Sequence, residues 1–325
     1  MPRGMGSLWT GLAHAGRCVL EQAVEALRAF LFMMLGMAAR FLPRTWVFSL
    51  ADMVRGVLAV SPLGVHARQM MRATFPSERA HASAMAAGWL GRPFRDHVNA
   101  VRIAAGREDV RAWTVEMRNA PAFLCDPDQS FIISTGHFSR EAMTVLYMPW
   151  LLQRRLATVV APLTQSKDAR GVRIREQMRA MRSAIMRVRG GDVDIADVAG
   201  KAFLVRLLHH LREPGGAVII ATDAAWGGGR ASYSRPFAAF ASQPFAIGTA
   251  RLARMTQRPI VTCVPFLDGE KRVVMEWSPV IQPPSRDDVD ADVRVTNEIL
   301  DWIERRIGDR PDQYVLSFGA ERRWS

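Results

Sequence analysis

Lysine is nearly absent: of 43 basic residues only Lys167, Lys201 and Lys271 are not arginine. Cysteine is scarce too. Cys18, Cys125 and Cys263 are odd in number, far apart and without a CxxC pair, which excludes a disulfide framework and a cysteine-built zinc site and fits a reducing compartment. Acidic residues number 31, leaving a net charge of +12 that points to acidic partners: nucleic acid, anionic lipid, phosphorylated substrates or an acidic carrier protein. Arginine's planar fork suits phosphate and carboxylate, although a skewed genome composition produces the same bias.

Long hydrophobic runs are also missing. The stretch AFLFMMLGMAA between Arg28 and Arg40 falls short of the roughly 20 apolar residues of a spanning helix, and basic residues recur around it. No small-x-small cleavage site follows a short basic start, so a cleavable signal peptide is not expected. With FLP and TWVFSLA behind it, the run reads either as an interfacial helical hairpin or as a pair of core helices.

What is present is a chain of 325 residues, 49% apolar, long enough to bury a substantial core. Up to about residue 125 it reads as helical throughout, broken at Pro43, Pro62, Pro76 and Pro93, with no strand-like alternation. Apolar, β-branched runs follow: FIIST at 131–135, ATVVA at 157–161, AVIIAT at 217–222, PIVTCVPF at 259–266 and RVVMEWS at 272–278. Helical stretches separate them, which predicts an α/β fold with a mostly parallel central sheet flanked by helices. The turn LDGEK predicts a hairpin and so an antiparallel edge, and a last amphipathic helix fits Asp290 to Arg306.

The segment FIISTGHFSREAM places His137 where a strand gives way to a helix-compatible stretch. On a helix Glu141 would lean over His137, giving a base and the carboxylate that orients it. Such a junction also offers free backbone N–H groups to a developing oxyanion. A His/Glu pair that merely stabilises a helix start has the same spacing. Between Leu151 and Gly191 ten basic residues stand against Asp168 and Glu176, an anion-binding surface in which Arg170 and Arg173 are candidates for substrate contact. GGGR at 227–230 lacks the Lys-Ser/Thr of a P-loop and reads as a loop placing Arg230 and Arg235 against phosphate or carboxylate. His209 and His210 read as structural. No RNA- or DNA-binding module is recognisable, so nucleic acid is not an expected partner.

TGHFSREA resembles the GHFGNWE-type block of the bacterial lipid A lauroyl and myristoyl acyltransferases, within the glycerolipid acyltransferase superfamily. VHARQMMRATFPSERAHASAMA at 65–86, AVIIATDAAWGGGRASYSRPFAAF at 217–240, IGTARLARMTQRPIVTCVPF at 247–266 and RPDQYVLSFGAERRW at 310–324 are similar to further blocks of that family, in order. The family's carboxylate falls five residues after the histidine, where Ala142 stands, and its Asp-Gln is Asp223-Ala224 here. The resemblance implies an N-terminal membrane-associating region over 1–62 and an acyltransferase domain over 63–325. It implies His137 as general base, Glu141 as its partner and Asp223 at the substrate. The donor would be an acyl thioester on acyl carrier protein or coenzyme A, and the acceptor a hydroxyl of a membrane lipid such as lipid A, a lipopolysaccharide precursor. No metal or other cofactor is expected, and the place of work would be the cytoplasmic face of a bacterial inner membrane, in peripheral or monotopic attachment. A relative that binds lipid or carrier protein without turnover remains the alternative.

Overall fold

The computed structural model describes residues 5–138, 156–160, 169–188, 193–197, 203–223, 233–238, 240–269 and 271–314. Four helices come first: α1 (Met5–Phe41), α2 (Arg44–Val60), α3 (Pro62–Thr74) and α4 (Ala82–Ala104). The proline breaks act as expected at three of the four, Pro76 opening a 3₁₀ turn (Pro76–His81) after α3 has ended. Pro43 precedes α2, and Pro62 is the first residue of α3, where Ser61 caps the N-terminus by accepting from the Gly64 N–H. Pro93, by contrast, lies inside α4.

Nine strands follow among the described residues: β1 (Thr114–Arg118), β2 (Phe131–Thr135), β3 (Leu156–Val160), β4 (Val193–Asp197), β5 (Ala217–Ala221), β6 (Tyr233–Phe237), β7 (Phe240–Phe245), β8 (Ile260–Leu267) and β9 (Arg272–Trp277). Seven form one sheet in the order β1-β9-β8-β2-β5-β3-β4, while β6 and β7 make a separate antiparallel pair. The pairings are parallel except β8 with β9, which run antiparallel across the LDGEK turn, where Gly269 takes a φ of +100° open to glycine. The helices α5 (Ala169–Val188), α6 (Phe203–Arg212), α7 (Gly248–Thr256) and α8 (Ala291–Asp309) are the remaining α-helices among the described residues.

The expectation of no strand before residue 125 is corrected by β1, and β4 and the β6–β7 pair were also not anticipated. β1 and β4 are the two edges of the sheet. An edge strand needs no continuous apolar run, because part of it stays in water. TVEMR and VDIAD accordingly carry charges, whereas the central β2 is buried at every position.

Alternation along the strands sorts the two faces. Ile132, Val218, Ile260 and Val264 pack with Leu207 and Leu211 of α6, Ala250 and Ala253 of α7 and Ile299 and Ile303 of α8. Phe131, Ile133, Ala217, Ile219 and Val261 pack on the other face with Ala184 and Ile185 of α5. The sheet is thus covered on both sides, the arrangement a parallel sheet requires. Phe32, Leu35 and Ala39 of α1, Val47 and Ala51 of α2 and Leu90, Phe94 and Val98 of α4 belong to the same apolar cluster as the first face.

The outer side of the first two helices is apolar and exposed. Leu27, Phe30, Met34, Met37 and Phe41 on α1 repeat at spacings of three and four, and Trp46, Met53, Val57 and Val60 share one face of α2. The helix is longer than the run AFLFMMLGMAA suggests: Gln22–Phe41 has the length and composition to cross a membrane. Part of it nevertheless lies against protein, since Phe32 stacks on Phe94 with ring centroids 4.4 Å apart.

Candidate active site

β2 and β5 are neighbours in parallel register, with Phe131 opposite Ala217 and Thr135 opposite Ala221. Two residues beyond each strand end stand His137 and Asp223, so the register carries the two side chains to the same level. The His137 ring Nδ1 lies 2.6 Å from Asp223 Oδ1, and the His137 backbone N–H donates to Asp223 Oδ2 at 2.7 Å. A carboxylate can only accept, so the ring proton sits on Nδ1 and the lone pair of the neutral imidazole on Nε2. The Asp223 side chain is wholly buried, whereas that of His137 keeps 18% of its surface open.

The surroundings hold this pair in place. Ser134 and Thr222 hydroxyls lie 2.8 Å apart, Thr222 and Thr249 hydroxyls 3.0 Å apart, and the Thr222 N–H donates to the Thr135 carbonyl. Gln243 donates to the Asp223 carbonyl at 3.3 Å. Gly136 lies between strand and histidine, where a Cβ would come within 3.0 Å of Ile303 Cγ2 and 3.3 Å of Asp223 Oδ2. Phe138 is anchored on the far side by edge contacts with Phe266 and Tyr314, each with ring centroids 5.4 Å apart, and by a backbone bridge to Tyr314. Gln313, in the PDQY stretch, exchanges two hydrogen bonds with the backbone of Leu267 at the end of β8.

The location is chemically apt. β2 continues to β3 on one side of the β2–β5 pair, and β5 continues to β8 on the other. Such a switch point opens a crevice at the carboxyl ends of parallel strands, where ligands of open α/β sheets bind.

Of the remaining candidates, Glu141 and Arg230 lie outside the described residues, as does the side chain of Arg170 in the first turn of α5. Arg173 is buried and binds Glu25 of α1 at 3.0 Å, with its guanidinium 5.9 Å from the Phe32 ring centre. Burial pushes the Glu25 carboxyl up, but Arg28 and Arg173 outweigh it and leave it below its ordinary value. Arg235 on β6 meets Asp301 at 2.6 Å and Glu304 at 3.1 Å on α8. Both arginines therefore join elements within the chain. Burial, with a contribution from the Glu276 charge, pushes the Cys263 thiol well up, which removes it as a nucleophile. Among the described residues no group of three or more His, Cys, Asp or Glu could hold a metal ion.

The Asp223 contact was legible only indirectly. The aspartate ends the apolar run AVIIAT as His137 follows FIIST, but nothing in a linear reading says that the two runs are neighbours.

No protein-family model matches the chain, and no curated protein matches it. Among solved structures, the 1-acyl-sn-glycerophosphate acyltransferase PlsC from Thermotoga maritima is similar over 81% of this chain and 96% of that one, at 12% identity and a TM-score of 0.37. A likeness of that degree carries no argument about activity.

Proposed function

We propose that the protein is an O-acyltransferase that moves a fatty acyl chain from a thioester to a hydroxyl of a membrane lipid, with His137 as general base. The observation that carries this reading is the His137–Asp223 pair at the carboxyl ends of adjacent parallel strands. With Nδ1 held by Asp223, Nε2 takes the acceptor's hydroxyl proton as its oxygen attacks the thioester carbonyl. Asp223 fixes the tautomer and stabilises the imidazolium that forms, which makes it a positioning residue. Collapse of the tetrahedral intermediate expels the thiolate, and the imidazolium returns the proton to it. A thioester is already activated, so neither a metal nor a covalent enzyme intermediate is needed.

The ordered blocks that resemble those of lipid A lauroyl and myristoyl acyltransferases support a lipid A-type acceptor. The exposed apolar stripes of α1 and α2 support attachment to a membrane surface, the inner membrane of a bacterium on this reading. For the donor we favour acyl carrier protein over coenzyme A. Arg175, Arg179 and Arg182 follow one another along α5, and an acidic protein engages many charges at once. Arg179 also bonds Glu176 at 2.8 Å.

The test is purified full-length protein with acyl carrier protein or coenzyme A thioesters and a lipid A precursor in mixed micelles, with mass spectrometry of the lipid. Acylated product from the parent, formed at least about a hundredfold more slowly by His137→Ala, supports the reading. Product at equal rates from both sinks it.

A further inference from the structure

Beyond the apolar stripes, the chain bends by 76° from α2 to α3 at Ser61. Val60 ends the stripe of α2, and Val65 is exposed at the start of α3. Gln69 and Arg72 then follow Val65 at spacings of four and three, so all three share one face of α3. Along that face the surface changes from apolar to basic. Its far end opens into a groove of about 660 Å³ lined by Gln69, Arg72, Ala73, Arg79 and Ala80, the last two from the 3₁₀ turn Pro76–His81.

The two guanidiniums in this groove differ from most arginines among the described residues. Arg95 is held by Asp52, Arg92 by Asp312, Arg254 by Asp292 and Arg306 by Glu276. Among the described residues the side chains of Arg72 and Arg79 have neither an ion pair nor a hydrogen bond, and both are exposed. Glu78, the one acidic residue of the turn, bonds His81 at 3.0 Å instead. Two exposed arginines lining one concavity, with Gln69 in the same lining, suit a tetrahedral phosphate oxyanion.

We infer that the α3 groove is a phosphate-binding site for the headgroup of an anionic membrane lipid, set at the rim of the apolar surface of α1 and α2. The apolar stripe would rest among acyl chains, while Gln69, Arg72 and Arg79 meet the phosphate at the depth where headgroups begin. The inference rests on the membrane placement of that apolar surface and not on acyl transfer. It also assigns a role to part of the excess positive charge that the strand-end site does not use.

The experiment compares full-length parent, Arg72→Gln/Arg79→Gln and a charge-matched control, Arg107→Gln/Arg305→Gln, by flotation with phosphatidylcholine vesicles and with the same vesicles doped with phosphatidic acid. The parent should prefer the doped vesicles, the groove variant should lose about tenfold of that preference, and the control should lose clearly less. Binding to plain phosphatidylcholine should be equal for all three. Four results would overturn the inference: no vesicle binding by the parent, a preference retained in the groove variant, an equal loss in the control, or an equal loss on plain vesicles. Calorimetry with soluble glycerol phosphate gives a fifth. Vesicle-independent binding that needs Arg72 and Arg79 would make the ligand a free phosphate ester. Should acyl transfer fail while the vesicle preference persists, the acyltransferase reading falls and the headgroup site stands.

Discussion

The helical layer and the ends of the parallel strands each hold a histidine, and the two have opposite surroundings. His97 on α4 is buried between α4 and α1, its ring 5.1 Å from that of Phe32, with Nδ1 lacking any hydrogen-bond partner among the described residues. Burial pushes it down to about 4, against an opposing hydrogen bond with the Phe32 backbone and with a further lowering by Arg40. Close approach of the helices is possible because Gly36 faces it, where a Cβ would lie 2.9 Å from His97 Nε2. His137 is partly open and has a buried carboxylate on Nδ1. A histidine buried in apolar surroundings without an acid is held neutral and serves packing, whereas one joined to a carboxylate at an open edge can accept and return a proton.

The largest expected effects come from removing each ring in turn. His137→Ala should lower acyl transfer by about 10²- to 10⁴-fold with the melting temperature unchanged. His97→Ala should do the reverse, costing about 2–4 kcal/mol of stability by leaving a cavity against Phe32 while the folded fraction keeps its turnover. Rates and melting curves for both proteins check the contrast, and it breaks if the two variants behave alike.

Next in size is the partner of the base. Asp223→Asn should cost about a hundredfold in turnover at constant melting temperature, more than Glu141→Gln. A larger loss in Glu141→Gln would transfer the orienting role to Glu141. Gly136→Ala sharpens the same point, because the added methyl would press on Ile303 and Asp223. It should cost about 1–3 kcal/mol and reduce activity as the pair is displaced.

Acid separates the regions again. The unfolded chain takes up a proton on His97 near its ordinary value of 6.5, and the folded chain does so only near 4. Between those values the unfolded state binds more protons, so this contribution to stability is intact above pH 6.5 and lost as pH falls toward 4. It amounts to at most about 3 kcal/mol. Thermal melts across that window should show the loss in the parent and a flatter slope in His97→Phe.

The smallest effect on the fold concerns the exposed stripes. Phe41→Ser and Trp46→Ser should weaken vesicle binding several-fold each, with stability changed by less than about 0.5 kcal/mol. Substitution is the sharper test than truncation at Leu63, since removing α1 and α2 would also strip Phe32, Val47 and Ala51 from the shared core. Vesicle binding unaltered by both substitutions would remove the stripes from the membrane.

Much of this was legible along the chain. Central strands of a parallel sheet are buried on both faces and must be continuously apolar, so β2, β5 and β8 announce themselves in FIIST, AVIIAT and PIVTCVPF. The position of His137 after β2 was equally plain, as were the Asp-Gly turn and the amphipathic α8. Edge strands were not, because β1 and β4 need to be apolar only in part, and the Tyr233–Phe245 hairpin includes Pro236 and Pro244 where a run would be uniform.

The sequence by itself determined which segments could be strands or helices, and that a histidine would stand at one strand end, because those depend on local periodicity and side-chain type. Tertiary structure alone decided what that histidine meets. Asp223 is 86 residues away, and only the parallel register of β2 with β5, set by burial on both faces of the sheet, brings the two to one level. It also decided which basic residues are committed. Arg173 and Arg235 find carboxylates on α1 and α8, while Arg72 and Arg79 face a groove. Ion pairing depends on neighbours in space, and composition does not record them.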